Sequence, residues 1–495
     1  MADDLRRYLR HEPISARPDT LEYRAARFVR RHIAGVSATA AVVMLVTGMT
    51  WVHTGRLSAE RDRAQREAAK AVKVSNLLLG LLTSADPYAT RGDAEPTVRQ
   101  LLDAGAEQVR RDLIGEPDIQ AEMLTMMGRT YRRLGAYDKA APLLQQALAS
   151  GRLAFGDEHV RIAQTLHDLG VLLGEKGDYA EAGRVLEQAL EMRRKLLGAQ
   201  GPDVAVTLAE LGRLYQDQGQ NLRAEPLHRE ALTIRRTVLG ERHRETAVSL
   251  SDLGSVLRLN GDLEGAETFL RLSMEINRET RGDTHPNVAT TIHDLALIAL
   301  TRGDPAGAEP GIREALVLQR KALGERHPVV ALSLNSLAHA LSRLGRHDDA
   351  AAALAEALGI AQHVLGSHHQ LTAIFSLHAA AVELDRGHAA TAETLAREGL
   401  KVRALVPNVV PSRRRTIAED DWSIGAAKSL LGAALLKQAR YAEAEVALLE
   451  ARRDIEASPV RRADHMKSTM DRLVELYTAW GKRERAAAYR SMLLP

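Results

Sequence analysis

Eighteen histidines, 64 carboxylates and no cysteine bound the chemistry open to this 495-residue chain. The histidines are densest in AQHVLGSHHQ, which carries His363, His368 and His369. Imidazoles this close in sequence could ligate zinc. His369, however, recurs as His159, His243, His285 and His327, each just after a glycine that opens a turn. That register fits hydrogen bonding within the turn, so no metal and no other cofactor is expected. No HExxH, no Walker loop ending in GK[ST] and no G-x-S-x-G elbow occurs. The carboxylates stand at spacings suited to ion pairs with arginine on helix surfaces. No catalytic residue is expected. The absence of cysteine removes disulfides, thiolate metal sites and cysteine nucleophiles together, without fixing the redox compartment.

Composition narrows the class further. Hydrophobic residues make up 45 % of the chain but aromatics only 3 %, so the interior must be built of Leu, Ala and Val. A net charge of +3 comes from 67 basic and 64 acidic residues, interleaved in sign. No basic block with interleaved aromatics appears, which argues against nucleic acid as a partner.

The elements that must position any site are set by a period. Glycine returns every 42 residues, at Gly135, Gly177, Gly219, Gly261, Gly303, Gly345 and Gly387. Five residues later an alanine returns with it, from Ala140 and Ala182 to Ala350 and Ala392. Such a period marks one helical hairpin stacked many times. In one unit, helix A runs from about Val160 to Lys176 and helix B from about Tyr179 to Leu197. Gly177 can take the left-handed conformation that ends helix A, and Asp178 offers a cap to helix B. Gly170 and Ala182 let the two helices approach, while Leu169, Leu173, Leu186 and Leu190 fill the space between them. Ala189 lets helix B meet the next helix A. The hydroxyls of Thr165, Thr207, Ser249, Thr291 and Ser333 form a column expected to bond back to its own helix. After Gly387 the phase breaks. Ala439 takes the glycine's place 52 residues on, and Gly481 restores it 42 later. Nine units are expected, the last a polar cap.

The N-terminal quarter is different. Residues 1–32 are Arg-rich and too short for a core. Residues 33–52, IAGVSATAAVVMLVTGMTWV, carry no charge and are long enough to span a bilayer. A signal peptide and a buried helix are the competing readings. Arg24, Arg27, Arg30 and Arg31 precede this run, against Arg56 and Arg61 just after it, which favours the N-terminus inside the cell and the repeats outside. Residues 53–116 read as a helical stalk and leading helix, with a turn-rich break from Asp86 to Pro96. The repeats occupy 117–405, an insertion 406–421, and two final repeats with the cap 422–495.

LHDLGVLLGEKGDYAEAGRVLEQAL and LAELGRLYQDQGQNLRAEPLHREAL resemble tetratricopeptide repeats. The 42-residue spacing, and turns such as LGERHPVVALSLNSLA, are similar to the kinesin-light-chain variety. The family's tryptophan early in helix A is Leu here, at Leu166, Leu208 and Leu250. This resemblance implies an all-α, right-handed superhelical α-solenoid, here preceded by one transmembrane helix and its stalk. In such arrays the inward side of the A helices lines a groove for protein or peptide partners. Carried over by column, that side holds His167, Arg213, Gln216, Ser251, Ser255, Arg258, His293, Asn335 and His339.

Residues 1–130 resemble the stretch after the catalytic domain in bacterial membrane-bound serine/threonine kinases that carry such repeats. The shared pattern is DLRRYLRHEPISARPDTLEYRAARFVRRH, the apolar run, then ERDRAQREAAKAVKVSNLLLGLLTSADP. No Gly-rich phosphate loop, HRD or DFG motif is present, so no kinase activity is expected. The resemblances together imply a scaffold or sensor module in the bacterial cytoplasmic membrane, linked to kinase signalling. The alternative is the C-terminal portion of a kinase whose catalytic domain is encoded upstream.

Overall fold

The computed structural model describes residues 2–12, 14, 20–83, 98–405, 424–457 and 463–493. The insertion expected at 406–421 and the break from Asp86 to Pro96 lie outside the described residues. Among the described residues every regular element is a helix. The chain divides into two units, Met1–Ile114 and Gly115–Pro495.

The first unit contains α1 (Ala2–Leu9), α2 (Leu21–Arg31), α3 (Ile33–Thr83) and α4 (Val98–Asp112). The apolar run and the stalk, read separately in the sequence, form the single helix α3. The linking residues include no proline, and the lone Gly55 costs only about 1 kcal/mol of helix propensity. Within α3, Ile33–Ser58 is 26 residues long and is not buried. At 1.5 Å per residue it reaches about 39 Å, more than the ~30 Å hydrocarbon core. Its Thr39, Thr47 and Thr50 hydroxyls donate to carbonyls of the preceding turn at 2.7–2.9 Å. By length and composition it can cross a membrane, and a secretion signal would meet the same test.

Among the described residues the second unit has nine helix pairs. They are α5 (Pro117–Arg133) with α6 (Tyr137–Phe155), α7 (Val160–Lys176) with α8 (Tyr179–Leu197), and α9 (Pro202–Asp217) with α10 (Asn221–Leu239). Then follow α11 (Arg244–Asn260) with α12 (Leu263–Arg281), α13 (Pro286–Thr301) with α14 (Pro305–Leu323), and α15 (Pro328–Arg343) with α16 (His347–Val364). The last three are α17 (Gln370–Asp385) with α18 (Ala389–Leu405), α19 (Ile424–Lys437) with α20 (Tyr441–Ala457), and α21 (Ala463–Ala479) with α22 (Arg483–Ser491). Each pair packs A against B, and each B helix packs on the next A helix, so the unit is a solenoid. Its core is built of Leu, Ala, Val and Ile from successive pairs.

Local chemistry explains the pairs. Gly177 ends α7 in the left-handed region, at φ 91° and ψ 4°, and Asp178 N–H returns to the Leu173 carbonyl at 2.9 Å. The A–B approach is tight. A Cβ on Gly170 would lie 2.6 Å from Leu186 Cγ and 3.3 Å from the Ala182 carbonyl oxygen. Ala182 and Ala189 are wholly buried, as the sequence requires.

The turn histidines are helix caps. His159, His243, His285, His327 and His369 each precede an A helix, and each Nδ1 accepts the backbone N–H two residues on, at 3.1–3.2 Å. His369 therefore caps α17, while neighbouring His368 pairs with the Ser367 hydroxyl at 3.2 Å.

The expectation at Asp178 needs correction, because its side chain makes no capping bond. Asp262 and Asp304 do cap, accepting from Gly265 and Gly307 N–H at 2.9 and 2.8 Å. A Cβ at Gly265 would stand 2.3 Å from an Asp262 carboxylate oxygen. Glu181, in the equivalent position after Asp178, has that Cβ.

Candidate functional site

The A helices α5, α7 and α9 lie side by side and line a polar cavity of about 450 Å³. Arg129 and Arg132 enter from α5, Gln164, His167, Asp168 and Glu175 from α7, and Asp203, Val206, Glu210 and Arg213 from α9. Arg193 reaches in from the intervening helix α8. A second pocket of about 290 Å³ adjoins it, sharing Arg129 and Gln164 and adding Met126, Phe155 and Ile162. The two form one trough along consecutive repeats, polar at one end and more apolar at the other.

Period places these groups together. Residues 39 apart stand on adjacent A helices, so Arg129 meets Asp168 at 3.6 Å and Arg213 meets Asp252 at 3.0 Å. Arg213 also pairs with Glu210 one turn earlier in its own helix. Arg132 bonds Glu175 at 2.5 Å. Gln164 bridges, donating to Asp168 at 3.0 Å and accepting from Arg193 at 2.7 Å. Arg193 also donates to the Thr207 hydroxyl at 2.5 Å and to the Asp203 carbonyl at 2.8 Å.

His167 is the uncommitted group. It is buried, and its Nδ1 has no hydrogen-bond partner. Burial, and then the charges of Arg193, Arg132, Arg129 and Arg213, push its pKa down to about 3. The ring is therefore neutral at pH 7. Burial raises Asp168, although Gln164 and Arg129 oppose it. Burial also raises Glu175, against the pull of Arg132. For Arg213 burial works against the charge, but Asp252 and Glu210 outweigh it and hold the guanidinium more firmly protonated.

The nine residues read from the sequence are not gathered into one site. His167 and Arg213 line the trough. Gln216 is fully buried, its Oε1 at 2.8 Å from His228 Nε2. Ser255 and Arg258 are buried and Ser251 is half-buried. His293 is buried with Nε2 at 3.0 Å from Ser336 Oγ on the next A helix. Asn335 is buried with Oδ1 at 2.6 Å from His378 Nδ1. Half-buried His339 lies edge-on to the same His378 ring, 6.0 Å between centroids. Asn335 and His339 line a separate cavity of about 150 Å³.

Sequence reasoning missed Arg129, Arg132, Gln164 and Arg193. The signal for Arg193 was present. Its column continues as Arg235, Asn277 and Gln319, polar at a buried position of helix B. Arg235 repeats its action, donating to the Ser249 hydroxyl at 2.7 Å and to the Glu245 carbonyl at 3.3 Å. The hydroxyl column thus bonds back to its own helix, as at Thr207 and Thr291. It also accepts a guanidinium from the preceding repeat.

Comparison with known proteins agrees with this construction. A tetratricopeptide-repeat family model matches residues 119–195, 161–237, 203–278, 245–310 and 302–363. The hairpins from α5 to α16 match tetratricopeptide repeats. Among solved structures, BtubC (BKLC) from P. vanneervenii is 23 % identical, covering 47 % of this chain and 92 % of its own, with a TM-score of 0.38. Nearly identical repeats assigned to a kinesin light chain of Podosopora anserina are 26 % identical, covering 42 % of this chain and 98 % of theirs, with a TM-score of 0.35. A Rap protein complexed with Competence and Sporulation Factor is 16 % identical, covering 76 % of this chain and 96 % of its own, with a TM-score of 0.51. At that identity it shares the fold alone. No curated protein matches the chain.

Proposed function

We propose that the tetratricopeptide array captures protein or peptide partners in the trough formed by α5, α7 and α9. The observation that carries this reading is the juxtaposition of two open pockets on consecutive A helices, with unpartnered His167 between ion-paired arginines. An extended partner segment presents backbone carbonyls and N–H groups along its length, and Gln164, His167 and the arginine forks can bond them. Met126, Phe155 and Ile162 offer an apolar seat beside them. Repeat arrays act as scaffolds, so the chain's role is binding and not catalysis. The Rap protein noted above holds its factor on the same general fold.

A photo-crosslinking residue at Arg129 or Val206 tests this in cells, against controls at Leu153 and Leu222 on B helices. Adducts to the same partner from both trough positions, lost on Arg213→Glu, are expected. Equal yields from trough and controls would sink the proposal.

We further propose that Ile33–Ser58 anchors the chain in a bacterial cytoplasmic membrane with the repeats outside. The support is the length and apolarity of that helix and the arginine excess before it. An alkaline carbonate wash should leave the chain in the membrane fraction. A membrane-impermeant maleimide should label Leu153→Cys in intact cells if the orientation holds. A role beside a kinase rests only on the resemblance of residues 1–130. In-frame HRD and DFG codons upstream of Met1 would replace the stand-alone scaffold with a kinase's C-terminal portion.

A further inference from the structure

The first 32 residues carry eight arginines against five acids, and α1 and α2 form within them. Arg27 is 7 % exposed. Its guanidinium lies 4.4 Å from the Tyr8 ring centroid and 5.6 Å from that of Tyr23, and donates to the Tyr8 carbonyl at 3.1 Å. Ile14 N–H meets the Tyr23 hydroxyl at 3.4 Å, and Arg31 meets Glu12 at 3.5 Å. These contacts tie the end of α1 and the residues after it to α2.

The fold leaves two apolar stripes open. Leu5, Tyr8 and Leu9 share one face of α1, at spacings of three and four. Leu21, Ala25, Phe28 and Val29 share one face of α2. Leu9, Leu21 and Phe28 are 73, 86 and 61 % exposed. Exposed arginines accompany them: Arg6 and Arg7 on α1, Arg10 just after it, and Arg24, Arg30 and Arg31 on α2. Asp3, Asp4, Glu12 and Glu22 temper this charge without reversing it. A protein surface could cover such stripes, but continuity favours lipid. Only His32, a non-helical residue at φ −119° and ψ 34°, separates α2 from α3, donating its N–H to the Phe28 carbonyl and accepting the Val36 N–H at its own carbonyl, both at 2.9 Å. The α2 stripe therefore ends where the long apolar helix α3 begins.

We propose that α1 and α2 form an interfacial hairpin, clamped by Arg27 between Tyr8 and Tyr23, that lays its leucines and Phe28 into an anionic lipid surface. Apolar side chains enter the headgroup–acyl boundary while the arginines pair with lipid phosphates. The inference rests on the anchor reading only in that α3 holds the hairpin at the bilayer.

The chain has no cysteine, so one introduced thiol is unique. The full-length protein is placed in nanodiscs of phosphatidylcholine with or without phosphatidylglycerol. A nitroxide is attached at Leu9→Cys, Phe28→Cys or, to report the anchor separately, Met44→Cys. In anionic discs the Leu9 and Phe28 labels should gain oxygen accessibility and lose contact with a water-soluble nickel reagent. Each of Arg6→Glu, Arg10→Glu and Arg30→Glu should weaken that immersion by roughly fivefold or more, since a single arginine near such a surface contributes about that factor. Arg27→Leu should free the Leu9 label and leave the Phe28 label in place. A lipid-immersed Met44 label with an aqueous Phe28 label in both disc types would overturn the hairpin and spare the anchor. An aqueous Met44 label with an immersed Phe28 label would do the reverse. Equal immersion of Phe28 in neutral and anionic discs would overturn recognition of charge. A Phe28 label already shielded in detergent would mean that protein, and not lipid, covers the stripe.

Discussion

Ala439 stands where eight other hairpins place a glycine, and it adopts the same left-handed backbone, φ 56° against 69–91° for those glycines. An L residue pays roughly 1–2 kcal/mol there. Ala439→Gly should therefore stabilise the chain by about 1 kcal/mol, less a part for the greater freedom of glycine in the unfolded state. A urea midpoint that falls on this substitution would refute the reasoning. The histidine caps give a second prediction. An imidazole protonated on Nδ1 cannot accept an N–H bond. Burial lowers the pKa of His369, and burial with Arg281 lowers that of His285. His167 falls to about 3. A histidine with a lowered native pKa gives stability that is complete above the unfolded value near 6.5 and is lost as pH falls below it. Raised Asp168 and Glu175 act in the opposite sense. The melting temperature should thus drop between pH 7 and pH 5, and the drop should shrink in His369→Asn, whose amide caps without titrating. An unaltered slope in that variant would remove the cap from the argument. The caps were legible because five histidines share one register. Which Asp residues cap was not, because that turns on whether the residue three later has a Cβ.

Helix packing, the next scale up, depends on the smallest residues. Ala182 is fully buried in the hairpin of α7 and α8, where a Cβ on Gly170 would already meet Leu186 at 2.6 Å. Ala182→Arg should cost about 1–3 kcal/mol or more through overpacking, seen as a lower melting temperature of the full-length protein. The contact between hairpins rests on another device, the buried arginine of helix B. Arg193→Met keeps the aliphatic bulk but leaves the Thr207 hydroxyl and the Gln164 side-chain carbonyl without the guanidinium's N–H, while the Asp203 carbonyl keeps the Thr207 hydroxyl. A loss of about 2 kcal/mol follows from stranding buried acceptors, and Arg193→Lys should recover part of it. Equal stability of Arg193→Met and wild type would mean that water replaces the guanidinium without cost. The hairpins themselves were legible from glycine and alanine columns, since backbone sign and close approach admit few residue types. The trough was only half legible. Column reasoning finds the side of helix A that faces inward, and so found His167 and Arg213. It cannot tell an open position from one closed by the next repeat. Gln216 is closed because His228 stands where other units place Leu186 or Leu270, and an imidazole can bond an amide as leucine cannot. His293 is closed because the following A helix offers Ser336.

If each hairpin contacts only its neighbours, the second unit should tolerate the loss of a whole period. Deleting residues 244–285 removes α11 and α12, of 17 and 19 residues, and joins His243 to Pro286. The junction restores each device in kind. His243 would cap Asn287 as His285 does now. Arg213 would find Asp294 in the column of Asp252, and Arg235 would find Thr291 in place of Ser249 and the Asn287 carbonyl in place of that of Glu245. Ala289, Ile292 and Leu295 would replace Ala247, Leu250 and Leu253 against α10. Each of these groups keeps a partner of the same class, while buried Ser255 and Arg258 give way to Leu297 and Leu300. The shortened chain should keep the helicity per residue of the parent by circular dichroism and unfold cooperatively. Removing α11 alone, residues 244–260, provides the contrast. That deletion sets α12 against α10 with no A helix between them and strands both arginines, so helicity should fall well beyond the residues removed. The trough lies wholly in α5 to α9 and their partners, apart from Asp252. Crosslinking from Arg129 should therefore survive the full-period deletion. A full-period deletion that unfolds as readily as loss of α11 alone would show that the array is a single cooperative core and not a sum of neighbouring contacts.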